Sequence, residues 1–109
     1  MSVNDQTAAA STPSVTNNAA ASRYEIHVDG QLAGFADYTT QPGVIAIPHT
    51  GVDPAFEGRG LGSRLARAAL DDIREQGLHV APHCPFIATY IKRHPEYADL
   101  VDAPTVAEG

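Results

Sequence analysis

Three glycines at alternate positions (Gly58, Gly60 and Gly62), a single cysteine (Cys84) and five histidines are the residues whose types and spacing could do chemistry in this sequence. The segment Glu57-Gly58-Arg59-Gly60-Leu61-Gly62 leads into Ser63 to Gln76, a run of strong helix formers in which Leu61, Leu65, Ala69 and Ile73 recur every fourth residue. A glycine turn that enters a helix leaves the first-turn amides without intrahelical partners, and the helix dipole adds partial positive charge there. The glycines let the main chain approach an anion without an intervening Cβ, while Arg59 and Arg64 offer countercharge at the rim. Two familiar spellings fail. A nucleotide phosphate loop needs Lys then Ser or Thr after its last glycine, and here Gly62 is followed by Ser63-Arg64; the dinucleotide fingerprint needs Gly-x-Gly-x-x-Gly, and this loop is Gly-x-Gly-x-Gly. A tight strand-to-helix connection is the competing structural reading of the same glycines.

Cys84 stands at the end of an expected strand and directly before Pro85, which suits the first position of a helix because its missing amide costs nothing there. Free amides and the dipole at such a place stabilise a thiolate. The alternative is a small buried hydrophobe. His79, His83 and Cys84 invite a metal reading, but a four-residue spacing puts two histidines on one face of a helix and not of a strand, and Pro82 disrupts both. Exposed strand-end positions are expected for His79 and His83. His94, before Pro95, is placed to cap the last helix by donating to its free carbonyls.

These residues need elements to position them. Arg23 to Asp29 alternates strictly, with Tyr24, Ile26 and Val28 pointing one way, and Asp29-Gly30 supplies a hairpin turn. Gln31 to Thr40 continues as a strand with a phase slip at Gly34, predicting a bulge or a close backbone approach. After Pro42-Gly43, Val44 to Ile47 reads as a central strand running on to Val52, with pairing weakened at Pro48. The helix after the glycine turn ends at Gly77. Leu78 to Cys84 follows as a short strand interrupted late by Pro82, and a second helix from Pro85 carries Phe86, Ile87, Tyr90 and Ile91 on its apolar face until His94-Pro95 stops it.

Composition bounds the rest. One cysteine cannot form an intramolecular disulfide, so a reduced cytoplasmic setting is the simpler expectation. The longest strongly apolar run, Val44 to Ile47, falls far short of the roughly 20 residues that cross a bilayer. With seven basic residues against 13 acidic ones and a net charge of −6, the chain lacks the electrostatic footprint of a nucleic-acid binder. Residues 1–22 are rich in Ala, Ser, Thr and Asn and are expected to be a disordered tail, as are residues 102–109, leaving 23–101 as one small domain.

Val52-Asp53-Pro54 followed by Glu57 to Leu65 resembles motif A of the GNAT acetyltransferases, in which a Gln/Arg-x-x-Gly-x-Gly/Ala loop cradles the pyrophosphate of acetyl-CoA. More narrowly, His49-Thr50, Cys84-Pro85-Phe86 and Arg93-His94-Pro95-Glu96-Tyr97 together resemble a small stand-alone GNAT-like family that dispenses with the first helices of the full fold. The resemblance runs from Tyr24 to about Leu100. It implies an α/β, reduced GNAT fold with a mixed sheet of about four strands and two helices, the cofactor lying where the strand before the glycine loop parts from the strand ending at Cys84. It also implies transfer of an acetyl group from acetyl-CoA to an amine, either a small molecule or a protein lysine. Gly58, Arg59, Gly60, Leu61, Gly62 and Ser63 would then hold the pyrophosphate, and Val52 would offer backbone to the pantetheine. Cys84 would donate a proton to the departing thiolate or carry the acetyl group, and Tyr90 and Tyr97 would be core or pantetheine wall. Two departures stand out. Glu57 replaces the first Gln or Arg of the loop, and Gly51 replaces the Glu that usually follows His-Thr. His49 is therefore the remaining candidate base. A non-catalytic acyl-CoA-binding module and a Cys84 thiol sensor are the alternatives. Beyond acetyl-CoA and an amine, a monomer or homodimer with no nucleic-acid or membrane partner is expected.

Overall fold

The computed structural model describes residues 13–101. They form strands β1 (Ser14–Asn18), β2 (Arg23–Val28), β3 (Gln31–Gln41) and β4 (Val44–Val52), helix α1 (Leu61–Glu75), strand β5 (His79–Ala81) and helix α2 (Pro85–Arg93). Short 3-10 segments lie at Ala19–Ala21, Pro54–Phe56 and Pro95–Leu100. The strands make one mixed sheet in the order β1-β2-β3-β4-β5, antiparallel except for the parallel pair β4–β5. The α/β class, the two α-helices and the order of elements from β2 onward agree with the sequence reading.

The sheet has one strand more than expected. Ser14–Asn18, placed in the tail on composition, pairs with β2 from Ser14↔His27 to Asn18↔Arg23. Two of its polar side chains are satisfied by neighbouring strands. The Tyr38 hydroxyl donates to Asn17 Oδ1 at 2.6 Å, Asn18 Nδ2 donates to Glu25 Oε2 at 3.0 Å, and Val15 packs against the core. Backbone pairing to an existing strand offsets the ordering cost that this segment could not meet alone. The expected tails at residues 1–12 and 102–109 lie outside the described residues.

Asp29 and Gly30 both adopt positive φ, 54° and 80°, as a two-residue hairpin requires. Ile26 pairs with Gly34 and His27 with Leu32, so Ala33 is the extra residue of a bulge. At Gly34 itself an added Cβ would come within 2.8 Å of the Gly51 carbonyl oxygen, so the phase slip marks both a bulge and a close approach. The β3–β4 register slips again between Asp37↔His49 and Thr39↔Ala46, opposite Pro48, which has no N–H to give the ladder.

β5 is shorter than the expected Leu78 to Cys84. Its last pair with β4 is Ala46↔Ala81, after which only the Cys84 amide, donating to the Ile47 carbonyl at 2.8 Å, links the two segments. From Pro48 to Val52, β4 is paired only with β3, and the sheet opens on its other side. Helix α1 buries Leu61, Leu65, Ala66, Ala69, Leu70 and Ile73 against the sheet. It ends in a Schellman motif, in which Gly77 (φ 75°) donates to Arg74 and Leu78 to Ile73. Near its C-terminus, Asp72 accepts from the Tyr24 hydroxyl at 2.7 Å and Asp71 from the Tyr97 hydroxyl at 2.6 Å.

Candidate functional site

The glycine loop is built outward from Asp53, whose Oδ1 accepts from the Ala55 amide at 2.9 Å and fixes the 3-10 turn at Pro54–Phe56. Gly58 and Gly60 follow with φ of 86° and 72°, a conformation that strains any side chain, and the site of an added Cβ at either meets no atom within 4 Å. Gly60 is the N-cap of α1 and no side chain caps the helix. The first helical hydrogen bond runs from the Arg64 amide to the Gly60 carbonyl, so the amides of Leu61, Gly62 and Ser63 have no acceptor among the described residues. They front a hollow of about 380 Å³ lined by Val52, Phe56, Glu57, Gly58, Gly60, Leu61, Gly62, Ser63 and Phe86. Six of the seven residues expected to hold a cofactor thus share one hollow.

Arg59 is the seventh and is not in the lining. Its guanidinium lies over the Phe56 ring, 5.3 Å from the centroid. Arg64 turns to a different hollow, shared with Arg67 and Asp71, so the countercharge expected from it at the rim is not supplied there. Attraction for an anion comes from amides and dipole, against the Glu57 carboxylate in the lining. The open glycine positions and unpartnered amides fit a pyrophosphate.

Phe86 was expected on the apolar face of α2. Ile87, Tyr90 and Ile91 are buried as expected, but Phe86 is 41% exposed and lies over the glycine loop. A Cβ on Gly62 would come within 2.9 Å of its ring. One residue from Ile87 on a helix is a rotation of about 100°, enough to carry a side chain off the buried stripe.

Cys84 is the N-cap residue of α2, 5% exposed, and stands against Thr50. Burial pushes the thiol pKa up, but the Thr50 hydroxyl and the backbone amides of Ile87, Phe86 and Thr50 favour the thiolate and hold it below the ordinary thiol value. Thr50 Oγ1 is buried and makes no hydrogen bond of ordinary geometry, which leaves its proton available to the sulfur as negative charge develops. The His-Thr and Cys-Pro motifs therefore meet through Thr50 and not through His49.

Alternation along β4 sends His49 to the opposite face of the sheet. There its exposed ring lies 5.6 Å from that of Phe35, and both line a hollow of about 340 Å³ with Leu32, Gly51, Val52 and Asp53. Phe35 explains how Gly51 is accommodated, because an added Cβ would meet the phenyl ring at 3.2 Å. His49 and Cys84 are thus divided between the two faces of the sheet.

The other histidines are structural or exposed. His94 Nδ1 is 2.8 Å from the Tyr90 carbonyl, with its ring stacked on Tyr90 at 3.9 Å, which is the expected helix cap. His79 and His83 are exposed, and among the described residues no three His, Cys, Asp or Glu side chains are grouped to hold a metal. Tyr90 and Tyr97 are core residues; burial, then the hydrogen bond to Asp71, pushes Tyr97 up to about 12.

Residues 23–100 match the family of GCN5-related N-acetyl-transferases. Among curated proteins, protein NATD1 of Gallus gallus is 38% identical over 52 residues, 48% of this chain and 47% of that protein, and NATD1 of Homo sapiens is equally identical over 46% of its length. The matched stretch is about half the length of those relatives. A GCN5-like N-acetyltransferase from Staphylococcus aureus has the same fold, with a TM-score of 0.64 at 21% identity over 87% of this chain and 93% of that one. A GNAT family acetyltransferase from Brucella melitensis, solved with acetyl-CoA, superposes with a TM-score of 0.52 at 23% identity over 70% of this chain and 54% of its own. The glycine loop at the opening of the sheet, the fold around it and the match over nearly the whole described chain lead to one conclusion: this protein belongs to the GCN5-related N-acetyltransferase family.

Proposed function

We propose that this protein is an N-acetyltransferase that moves an acetyl group from acetyl-CoA to an amine. The observation that carries the reading is the uncapped N-terminus of α1, open beside the stretch of β4 that β5 leaves unpaired, with Cys84 buried against Thr50 where the two strands part. Bound acetyl-CoA supplies a thioester whose carbon–sulfur bond breaks as the amine forms its carbon–nitrogen bond. The amides of Leu61, Gly62 and Ser63 hold the pyrophosphate, Gly58 and Gly60 let it approach, Phe86 walls the loop, and the unpaired backbone at Val52 holds the pantetheine. His49 accepts the proton that the amine loses. Cys84 delivers a proton to the departing thiolate or carries the acetyl group itself, with Thr50 favouring its ionised form in either case.

Gly51 favours one other reading, an acyl-CoA-binding module without turnover, because the place of a carboxylate on that strand is taken by the Phe35 ring. A thiol sensor is disfavoured by the burial of Cys84. A reducing, cytoplasmic setting suits a thiol of this kind.

Intact mass spectrometry after incubation with acetyl-CoA, under native and then denaturing conditions, tests the reading with wild type beside Cys84→Ser. A native CoA adduct with amine-dependent CoA release supports the enzyme; an acetyl group that survives denaturation and vanishes in the variant assigns the carrier role to Cys84. An adduct without release with any amine favours the binding module. A folded protein with no adduct overturns the acetyl-CoA reading.

A further inference from the structure

The end of β4 borders two hollows that meet at Val52. Val52 lines the glycine-loop hollow and also the one holding His49. We infer that this second hollow is the acceptor site and that it takes a small primary monoamine carried on an apolar body. The inference rests on the N-acetyltransferase reading and names its substrate class.

The lining supplies the chemistry. Leu32, Phe35, Val52 and Pro54 give it apolar walls, and Leu32 is 39% exposed, a leucine that the core does not use. Only two side chains of the lining, His49 and Asp53, can accept a proton or pair with an ammonium. Asp53 commits Oδ1 to the Ala55 amide and keeps its second oxygen without a donor among the described residues. His49 has no hydrogen bond among them, only the edge of Phe35 beside it. An amine entering here pairs with Asp53, loses its proton to His49 and lays its apolar body over Leu32 and Phe35.

The same lining discriminates. A polyamine would bury two or three further ammonium groups, each needing a carboxylate that this hollow lacks. The net charge of −6 attracts a polyamine to the surface more strongly than a monoamine, so selection for the monoamine falls to the hollow. Its volume of about 340 Å³ lies at the lower end of the range for ligand pockets, sized for a small molecule.

The test is an NMR titration of the full chain, free and CoA-saturated, with 2-phenylethylamine and with spermidine. Wild type is compared with Asp53→Asn, Phe35→Ala and Leu32→Gln, each checked for folding by its amide spectrum. We expect 2-phenylethylamine to shift Leu32, Phe35 and Val52 and to bind at least about tenfold tighter than spermidine, and each variant to lose about tenfold in that affinity while CoA still shifts Gly58 to Ser63. Spermidine binding the hollow as tightly, or neither amine shifting it in a protein that binds CoA, overturns the inference and leaves the acetyl-CoA reading standing. CoA that leaves the glycine loop unshifted overturns both. The exposed side chain of Leu32 keeps the test decisive if Phe35→Ala fails to fold.

Discussion

Helices α1 and α2 both begin where β4 and β5 part, and neither N-terminus has a side-chain cap, yet the two are finished in opposite ways. At α1 the cap is Gly60, Gly58 and Gly60 face open space and the first-turn amides look into an open hollow. At α2 the cap residue is Cys84, buried, with Pro85 removing one amide and those of Phe86 and Ile87 favouring the thiolate without forming a side-chain cap. The same electrostatic resource serves two anions, a large one that must arrive from solvent and a single atom that belongs to the chain. Openness demands glycine at the first, and desolvation strengthens a few fixed donors at the second.

Substitutions can break that contrast. The largest effect is expected from Gly60→Asp, which puts a carboxylate and a strained backbone on the open N-terminus; CoA affinity measured calorimetrically should fall by about 100-fold or more. An unchanged affinity would deny α1 its role as the anion receptor. Thr50→Val acts on the closed N-terminus. Ultraviolet titration of the thiolate should move to higher pH in Thr50→Val and stay near wild type in Thr50→Ser, because only the hydroxyl is at issue.

A smaller effect links α2 to stability. A thiol held low in the folded state adds stability above its unfolded pKa and loses it as pH falls through the folded value, so stability should rise as pH approaches the ordinary thiol range of about 8.5. Tyr97 runs the other way. Its phenol, raised to about 12, contributes stability that is intact below pH of about 10 and lost as pH climbs through the folded value. Thermal midpoints across this range should lose the rise in Cys84→Ala and part of the alkaline fall in Tyr97→Phe, the rest belonging to Tyr24 and Tyr90, whose phenols are also raised by burial. The smallest effect is expected for Arg64→Ala. Since Arg64 lines a separate hollow, CoA affinity should stay within about twofold of wild type, and a large loss would return that arginine to the loop.

Local signals made much of this legible in the sequence. Tyr24, Ile26 and Val28 face the core because alternation is a property of the strand itself, and Gly77, Pro85 and His94 mark helix ends through backbone conformation, a missing amide and a ring nitrogen that each act within a turn. The glycine loop was legible for the same reason. What escaped depends on distant partners. β1 is held by pairing to β2 and by Tyr38, and nothing in Ser14–Asn18 advertises either. The covering of Gly51 by Phe35 joins positions on two strands whose register is set by bulges at Ala33 and Pro48. Whether His49 or Thr50 shares a face with Cys84 turned on the same register, and the slip at Pro48 decided it.

Asp71 and Asp72 are neighbours on α1, yet one takes the hydroxyl of Tyr97 and the other that of Tyr24, so chain segments from before and after the helix are moored to the same turn. That turn lies about 15 Å along the axis from Leu61. α1 is thus packed against the sheet along its whole apolar face, but side-chain hydrogen bonds from other segments tie it only near the C-terminus, while the first-turn amides have no acceptor among the described residues. Backbone hydrogen exchange should be slow around the moored turn and fastest at the first-turn amides, and a bound pyrophosphate would slow exchange at those amides without changing it at the moored turn.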